Sequence, residues 1–147
     1  GVALAEIYDA DVASPTSRLM NVSTRGNAAS GGDALIGGFV ISGSAAKRVL
    51  LRGAGPSLTQ FGVTGALTDP TLALYDGSGR QLGSNDNWVS AAPQLSAAMA
   101  SVGAYALTAD SKDAAVMATL PPGAYTVQVT GVNNTAGTAL IEIYELP

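Results

Sequence analysis

Histidine and cysteine are both absent from the 147 residues of this chain. Without histidine, the chain cannot build a Ser-His-Asp triad, a Cys-His pair, or a zinc or iron site with imidazole ligands. Without cysteine it has no disulfides, but a single domain of this length buries roughly 68 to 70% of its unfolded surface and is stable without them. A pair of carboxylates is the remaining route to acid-base catalysis.

Charged side chains are also scarce, at 12% of residues, and the net charge is -4. The seven basic residues are scattered and form no patch, which argues against a nucleic-acid partner, since that affinity comes largely from Lys and Arg. No apolar run approaches the roughly 18 to 20 residues that span a bilayer. The aspartates are dispersed through turns, where Asp is a routine residue, so the sequence predicts no enzyme.

The residues that are abundant, namely Gly, Ala, Val, Thr and Ser, favour short strands joined by tight turns. We predict an all-β fold, a single antiparallel β-sandwich of jelly-roll or immunoglobulin-like type with one short helix. The helix is predicted at residues 93–102, where Leu95, Met99 and Val102 share a face, and we expect it to cap an open end of the sandwich. The predicted strands are residues 18–24 at an edge, 34–42 at the centre, 47–52, 71–75, 80–84, 113–120, 123–132 and 137–146.

The closing strand (GTALIEIYEL, residues 137–146) has a near copy at the start of the chain (GVALAEIYDA, residues 1–10). Six of the ten positions are identical, and two of the three glutamates, Glu6 and Glu142, occupy the same matched position. The offset of 136 residues is almost the whole chain, which indicates one period of a repeat plus one extra strand. Either the chain is a slice of a tandem array, or the extra strand completes the sheet of a neighbouring subunit.

The domain organisation that follows is a terminal strand at residues 1–10, a connector at 11–17 and a β-sandwich domain at 18–147. The leading functional hypothesis is a self-assembling structural subunit of an extracellular filament or surface array, joined head-to-tail by strand complementation. Its partners are copies of itself or adjacent repeats. The predicted subunit interface consists of the matched side chains of the two copies: Val2, Leu4, Glu6, Ile7 and Tyr8, with Leu140, Glu142, Ile143 and Tyr144.

Three features suggest a ligand site, and each has a simpler interpretation. Residues 53–57 (GAGPS) are glycine-rich, but no Gly-Lys-Ser/Thr follows, so a tight loop is favoured over a phosphate site. Asp69, Asp76, Asn85 and Asp86 supply oxygens that a calcium ion would take if they converged, although each also suits a turn. Trp88 would serve as a sugar platform if exposed, but a lone tryptophan favours the core. The sequence therefore predicts no cofactor, with calcium as the one candidate.

Residues 69–132 resemble the bacterial pre-peptidase C-terminal type of β-sandwich. The matching parts are a strand that ends in Tyr-Asp, a Gly-Ser-Gly turn, an Asn-Asp pair, and a Pro-Gly-x-Tyr strand start (DPTLALYDGSGRQLGSND and LPPGAYTVQV). Nearly the whole chain also resembles repeat units of large secreted or surface proteins of bacteria, on SRLMNVSTRG, LIGGFVISG and RVLLRGAGPSL.

The two resemblances imply a non-catalytic domain that is extracellular or at the cell surface, but they imply no fixed activity. They support an alternative function, an accessory module of a secreted enzyme or adhesin that binds polysaccharide or protein, with calcium as the candidate stabilising ion.

Overall fold

The structure, a computed structural model, describes residues 3–8 and 19–147. Eight strands form two four-stranded antiparallel sheets, sheet A in the order β1-β8-β3-β6 and sheet B in the order β2-β7-β4-β5. One α-helix, α1, spans Ala92–Ser101. The prediction of an antiparallel β-sandwich with one short helix is confirmed. The strands are β1 Asn21–Ala28, β2 Leu35–Ile41, β3 Lys47–Ala54, β4 Pro70–Asp76, β5 Gln81–Asn85, β6 Ala114–Leu120, β7 Gly123–Gly131 and β8 Gly137–Glu145.

The main hydrophobic core lies between the two sheets and follows from alternation along each strand. Successive side chains of a strand point to opposite faces, so Val49 and Leu51 of β3 face sheet B. On the opposing sheet, Leu72 and Leu74 of β4 face sheet A and are buried. The predicted inward face of the closing strand, which includes Ile141, is confirmed by its burial in this core.

A second hydrophobic core covers the outer face of sheet A. Leu50 of β3 and Ala115 of β6 point away from sheet B and pack in one cluster with Leu95 and Met99 of α1. Trp88 is buried in the same cluster, which confirms its predicted core position. The prediction that the helix caps an open end of the sandwich is wrong, because its apolar face is needed to cover the outward alternate residues of β3 and β6.

The outer face of sheet B has no such cover among the described residues, and β2 is an edge strand of this sheet rather than a central one. The apolar run of residues 34–42 led to the wrong placement. Its alternate residues Ile36 and Val40 are exposed, at 56% and 73%, while only the other face turns toward the core. The hydrophobicity of residues 34–42 therefore did not predict which of their side chains are buried.

The β4–β5 hairpin forms at the Asp-Gly turn, as predicted. The Asp76 carboxylate accepts hydrogen bonds from the Ser78 hydroxyl at 2.6 Å, the Ser78 amide at 3.0 Å and the Arg80 amide at 3.1 Å. These bonds, the Ser78 hydroxyl above all, lower the pKa of Asp76 to about 2. The aspartate is thus a turn former whose charge is held by its own loop.

The first copy of the closing strand forms no strand where it is described. Residues 3–8 have no regular secondary structure and are exposed, whereas β8 is fully paired between β1 and β3. Val2 and the predicted connector at residues 11–17 lie outside the described residues. Donation of the segment to another molecule stays a prediction.

Candidate functional site

The glycine-rich segment at residues 53–57, predicted as a loop, ends β3 with its first two residues and binds a carboxylate of the protein through the rest. The Gly55 amide donates to Asp113 Oδ1 at 2.7 Å, and the Ser57 amide donates to both carboxylate oxygens, at 3.3 and 3.2 Å. Loop amides of this kind attract anions. In this protein the anion is Asp113, which precedes β6 and is fully buried.

Hydroxyl groups complete the surroundings of the Asp113 carboxylate. Ser57, also fully buried, donates its hydroxyl to Oδ2, and Ser111 donates to the same oxygen at 2.5 Å. Ser57 Oγ in turn accepts the Thr108 amide at 2.7 Å, while the Trp88 indole donates to Ser111 Oγ at 3.1 Å. The network joins the loop after β3 to the segment before β6, so its role is structural and the loop amides are not free for a phosphate.

An ion pair is buried in the second core, beneath the cover of sheet A. Arg52 of β3 is fully buried, and its Nε lies 3.3 Å from Oε2 of Glu142 on β8. The guanidinium carbon lies 4.1 Å from the centroid of the Tyr105 ring, a cation-π geometry. The three guanidinium nitrogens have no hydrogen-bond partner, so Glu142 and the Tyr105 ring are what balances this charge.

Two tyrosines next to this ion pair have raised pKa values. Burial and then the hydrogen bond from the Tyr144 hydroxyl to Glu142 Oε1, 2.7 Å long, raise the pKa of Tyr144 to about 12. Burial, followed by the charge of Glu142, raises the pKa of Tyr105 well above its usual value. Both phenols are therefore neutral at physiological pH, and both pack against the second core.

The raised pKa of Tyr144 predicts a loss of stability at high pH. A phenol with a higher pKa in the folded protein than its usual value of about 10 favours folding below pH 10, and the benefit is lost as pH rises toward about 12. We expect the melting temperature to fall across that interval, and to fall less steeply in Tyr144→Phe. Thermal melts of both proteins between pH 8 and pH 12 measure the difference; equal slopes would contradict the prediction.

The structure does not bring together the side chains considered for calcium. Asp69 precedes β4 and Asp76 is its last residue, so the length of the strand separates the two carboxylates by roughly 20 Å. Asp69 pairs with Lys112 at 2.5 Å, and Asn85 Oδ1 accepts the Ala115 amide at 3.0 Å. Within residues 3–8 and 19–147, no group of three or more acidic side chains is placed to hold a metal ion.

The outer face of sheet B is a broad surface without charged outward side chains, exposed along β2 and half-buried along most of β4 and β7. Asp76, at the end of β4, is the one charged residue in the four strands of this sheet. The strand pairing aligns Ile36, Gln128, Ala73 and Ser84 in one row across the sheet, roughly 14 Å wide. We call this surface the sheet B face; its outward residues are Ile36, Gly38, Val40, Thr71, Ala73, Tyr75, Ser84, Ala124, Thr126, Gln128 and Thr130.

An open groove of about 550 Å³ lies between the edge strands β5 and β6. Its lining is mainly aliphatic and backbone, and its charged side chains are Asp76 and Arg80. These two pair with each other at 3.0 Å, so the groove offers no free carboxylate for acid-base chemistry.

The predicted interface residues divide between the surface and the interior. Leu4, Ile7 and Tyr8 are 82%, 68% and 79% exposed, and their part in an interface stays a prediction. The members from β8 lie instead inside their own sandwich: Ile143 is buried in the main core, and Glu142 is buried against Arg52. The buried positions of Arg52 and Asp113 and the half-buried position of Tyr105 were not predicted from the sequence, and the one available signal was an arginine next to the apolar run of β3.

Among the described residues, no helix has the length and apolarity needed to cross a membrane. No protein-family model matches the sequence. No curated protein matches it either. Among solved structures, the chain is similar to the pre-peptidase C-terminal domain of a collagenase from Bacillus anthracis, with 16% identity over 84% of this chain and 89% of that chain and a TM-score of 0.49.

Proposed function

We propose that the chain is a non-catalytic accessory β-sandwich module of an extracellular protein, and that it binds its partner through the sheet B face. The observation that carries the proposal is the asymmetry of the two sheets. Sheet A is covered on both faces by hydrophobic cores, whereas sheet B is covered on one. A sheet with an exposed, uncharged, partly apolar face is a surface suited to contact with another molecule.

The side chains of this face favour an extended, neutral partner, and we assign a polysaccharide. Threonine hydroxyls and the Gln128 amide can exchange hydrogen bonds with sugar hydroxyls, while Tyr75 and the aliphatic Val40 offer apolar contact. A charged polymer would find no counter-charge in the four strands apart from Asp76. The internal use of Asp113 and Glu142 supports the non-catalytic assignment, because both buried carboxylates already have partners.

Charge introduced on the sheet B face should weaken polysaccharide binding. Thr126→Lys, on the interior strand β7, and Val40→Lys, on β2, each place an ammonium group where a neutral polymer would displace its water, and we expect affinity to fall about tenfold or more. Sedimentation assays with insoluble cellulose and chitin measure this. The matched control is Ala45→Lys in the exposed segment between β2 and β3, which should bind like the parent. No binding by the parent to either polymer, or equal binding by all four proteins, would overturn the assignment.

A second candidate function is supported by the duplicated strand: a structural unit of an extracellular array or filament, joined to its neighbours through closing strands. Its support is the exposed apolar side chains of residues 3–8, which match positions that are buried or partly buried in β8. Electron microscopy and light scattering on the chain with and without residues 1–10 test the filament form. Filaments from the intact chain alone would support it, and monomers from both would exclude it.

A further inference from the structure

The six positions at which residues 1–10 match residues 137–146 are positions that the sandwich constrains. Each has a definable structural requirement in β8, whether a close backbone approach, burial in one of the two cores, or a polar contact with a neighbouring side chain. The matched pairs are Gly1 and Gly137, Ala3 and Ala139, Leu4 and Leu140, Glu6 and Glu142, Ile7 and Ile143, and Tyr8 and Tyr144.

Glycine is required at the start of β8 because a loop from the preceding part of the chain crosses it at close range. A Cβ atom at position 137 would lie 2.7 Å from the Leu67 backbone nitrogen and 2.8 Å from the Gly65 carbonyl oxygen. The same loop then pairs with the next residue, since the Leu67 amide donates to the Thr138 carbonyl at 2.8 Å. Glycine at position 1 meets this requirement as well.

The Glu-x-Tyr pair is required by Arg52. Glu142 faces the buried guanidinium on the adjacent strand, and the Tyr144 hydroxyl fixes the carboxylate through Oε1. In the exposed copy, the Tyr8 hydroxyl donates to Glu6 Oε1 at 2.8 Å, the same internal bond with the same spacing. The exposed segment therefore carries the acidic half of a buried ion pair.

The apolar matches concern both faces of β8. Ala139 is fully buried between the sheets and Ile143 is 6% exposed there, while Leu140 packs in the second core. One inward position differs: Ile141 is 1% exposed, and its counterpart is the smaller Ala5. A sheet that receives the segment must fill that space with a larger neighbour or accept a small cavity.

No place for the segment exists in a sandwich that already has β8. In this structure β8 is hydrogen-bonded to β1 along one edge and to β3 along the other, so the segment cannot add to either strand at that position. Entry would require the release of a central strand that is buried on both faces. The segment can take such a position only in a sandwich that lacks a closing strand of its own.

We infer that residues 1–10 are the closing strand of an adjacent sandwich unit of this same kind. In that unit Glu6 pairs with the arginine equivalent to Arg52, and Gly1 lies against the loop equivalent to the one that contains Gly65 and Leu67. The inference rests on the second candidate function and names its partner: a neighbouring unit in one longer chain, not a separate copy of this chain. The unit spacing is the 136-residue offset of the two copies.

A two-unit chain tests this inference, with residues 11–136 placed before the full chain 1–147. The first unit of this chain contains β1 to β7 and lacks β8. Residues 1–10 of the second unit follow it directly, at the position that residues 137–146 occupy in the parent. In the parent, chymotrypsin should cut rapidly after the exposed Tyr8. In the two-unit chain we expect cleavage there to be at least about tenfold slower, because a paired strand must open before it is cut.

Glu6→Ala serves as the matched variant in both chains. It should restore rapid cleavage in the two-unit chain by leaving the first unit's arginine unpaired, and should change nothing in the parent. A positive control is the two-unit chain with residues 1–10 at the junction replaced by the sequence of residues 137–146. Its resistance to cleavage shows whether the first unit folds when it has its own closing strand.

Two results would overturn the inference. One is a positive control that is protected while the two-unit chain is cut at Tyr8 as fast as the parent. The other is protection of Tyr8 in the parent that rises with protein concentration together with the measured mass, which would make a separate copy the partner. Neither result bears on polysaccharide binding by the sheet B face, so failure of the two proposals is distinguishable.

Discussion

Replacement of Asp113 by alanine should destabilise the protein by roughly 3 to 5 kcal/mol, one of the two largest effects expected for a single side chain here. The carboxylate is fully buried and accepts the amides of Gly55 and Ser57 and the hydroxyls of Ser57 and Ser111. Without it, several buried donors lose their acceptor, and each unsatisfied group costs about 1 to 3 kcal/mol. The loop after β3 would also lose its attachment to β6.

Urea denaturation of three variants measures this effect. Asp113→Ala should show the full loss, and Asp113→Asn should lie between it and the parent, because the amide keeps one acceptor oxygen but turns an NH2 group toward the donors. The control is Asp86→Ala, which replaces an exposed aspartate directly after β5. We expect its free energy of unfolding to change by no more than about 0.5 kcal/mol. Equal stability of Asp113→Ala and Asp86→Ala would show that the network is not structural.

Removal of Glu142 alone should cost a similar amount, about 3 to 5 kcal/mol, while removal of the whole ion pair should cost far less. Glu142→Leu leaves the Arg52 guanidinium buried, without a hydrogen bond and without its counter-charge. An uncompensated buried charge is strongly unfavourable, whereas a buried pair replaced by apolar residues of similar volume is often neutral or stabilising. The double variant Arg52→Met with Glu142→Leu should therefore recover most of the lost stability.

A double-mutant cycle of the two single variants and the double variant gives the coupling energy between Arg52 and Glu142. The chain supplies its own control, because Glu6→Leu makes the same substitution within the same Glu-Ile-Tyr sequence in the exposed segment. We expect no change in the free energy of unfolding for that variant. A double variant as unstable as Glu142→Leu would mean that Tyr144, and not the arginine, is the partner that matters.

These two clusters show how the described part of the chain uses its buried polar groups. The glycine-rich loop and the buried acidic residues have the composition of an anion site and a catalytic carboxylate, respectively. The tertiary structure uses them to hold the second core to sheet A, through Asp113 at the loop and Glu142 at β8. The sheet B face, which we propose as the partner surface, lies on the opposite side of the sandwich from both clusters.

Much of the local structure could be predicted from the sequence. The Asp-Gly hairpin at residue 76, the strands, the single helix and the face assignment of β8 all follow from turn chemistry and from alternation, which are local properties. The interior position of Trp88 was also accessible, from composition alone. The hairpin, the strands, the helix and the faces of β8 each depend on residues within a few positions of one another.

The partition of strands between the sheets was not accessible in the same way. Residues 34–42 are apolar enough for a central strand, yet β2 lies at an edge with Val40 exposed. β6 and β7 are neighbours in sequence but belong to different sheets. Pairing between distant strands depends on which strand faces become buried against other elements. The residue pattern of a single strand does not predict this.

The sequence by itself determined the strands, their turns, the single α-helix within the described residues and the existence of two closing-strand copies. Only the tertiary structure decided which copy is enclosed, that α1 covers a face and not an end, and that Arg52 meets Glu142 across 90 residues of chain. The physical reason is the distance along the chain over which each kind of interaction acts. Backbone propensity and side-chain alternation act within one element, whereas burial and charge compensation are set by whichever distant segments the fold brings into contact.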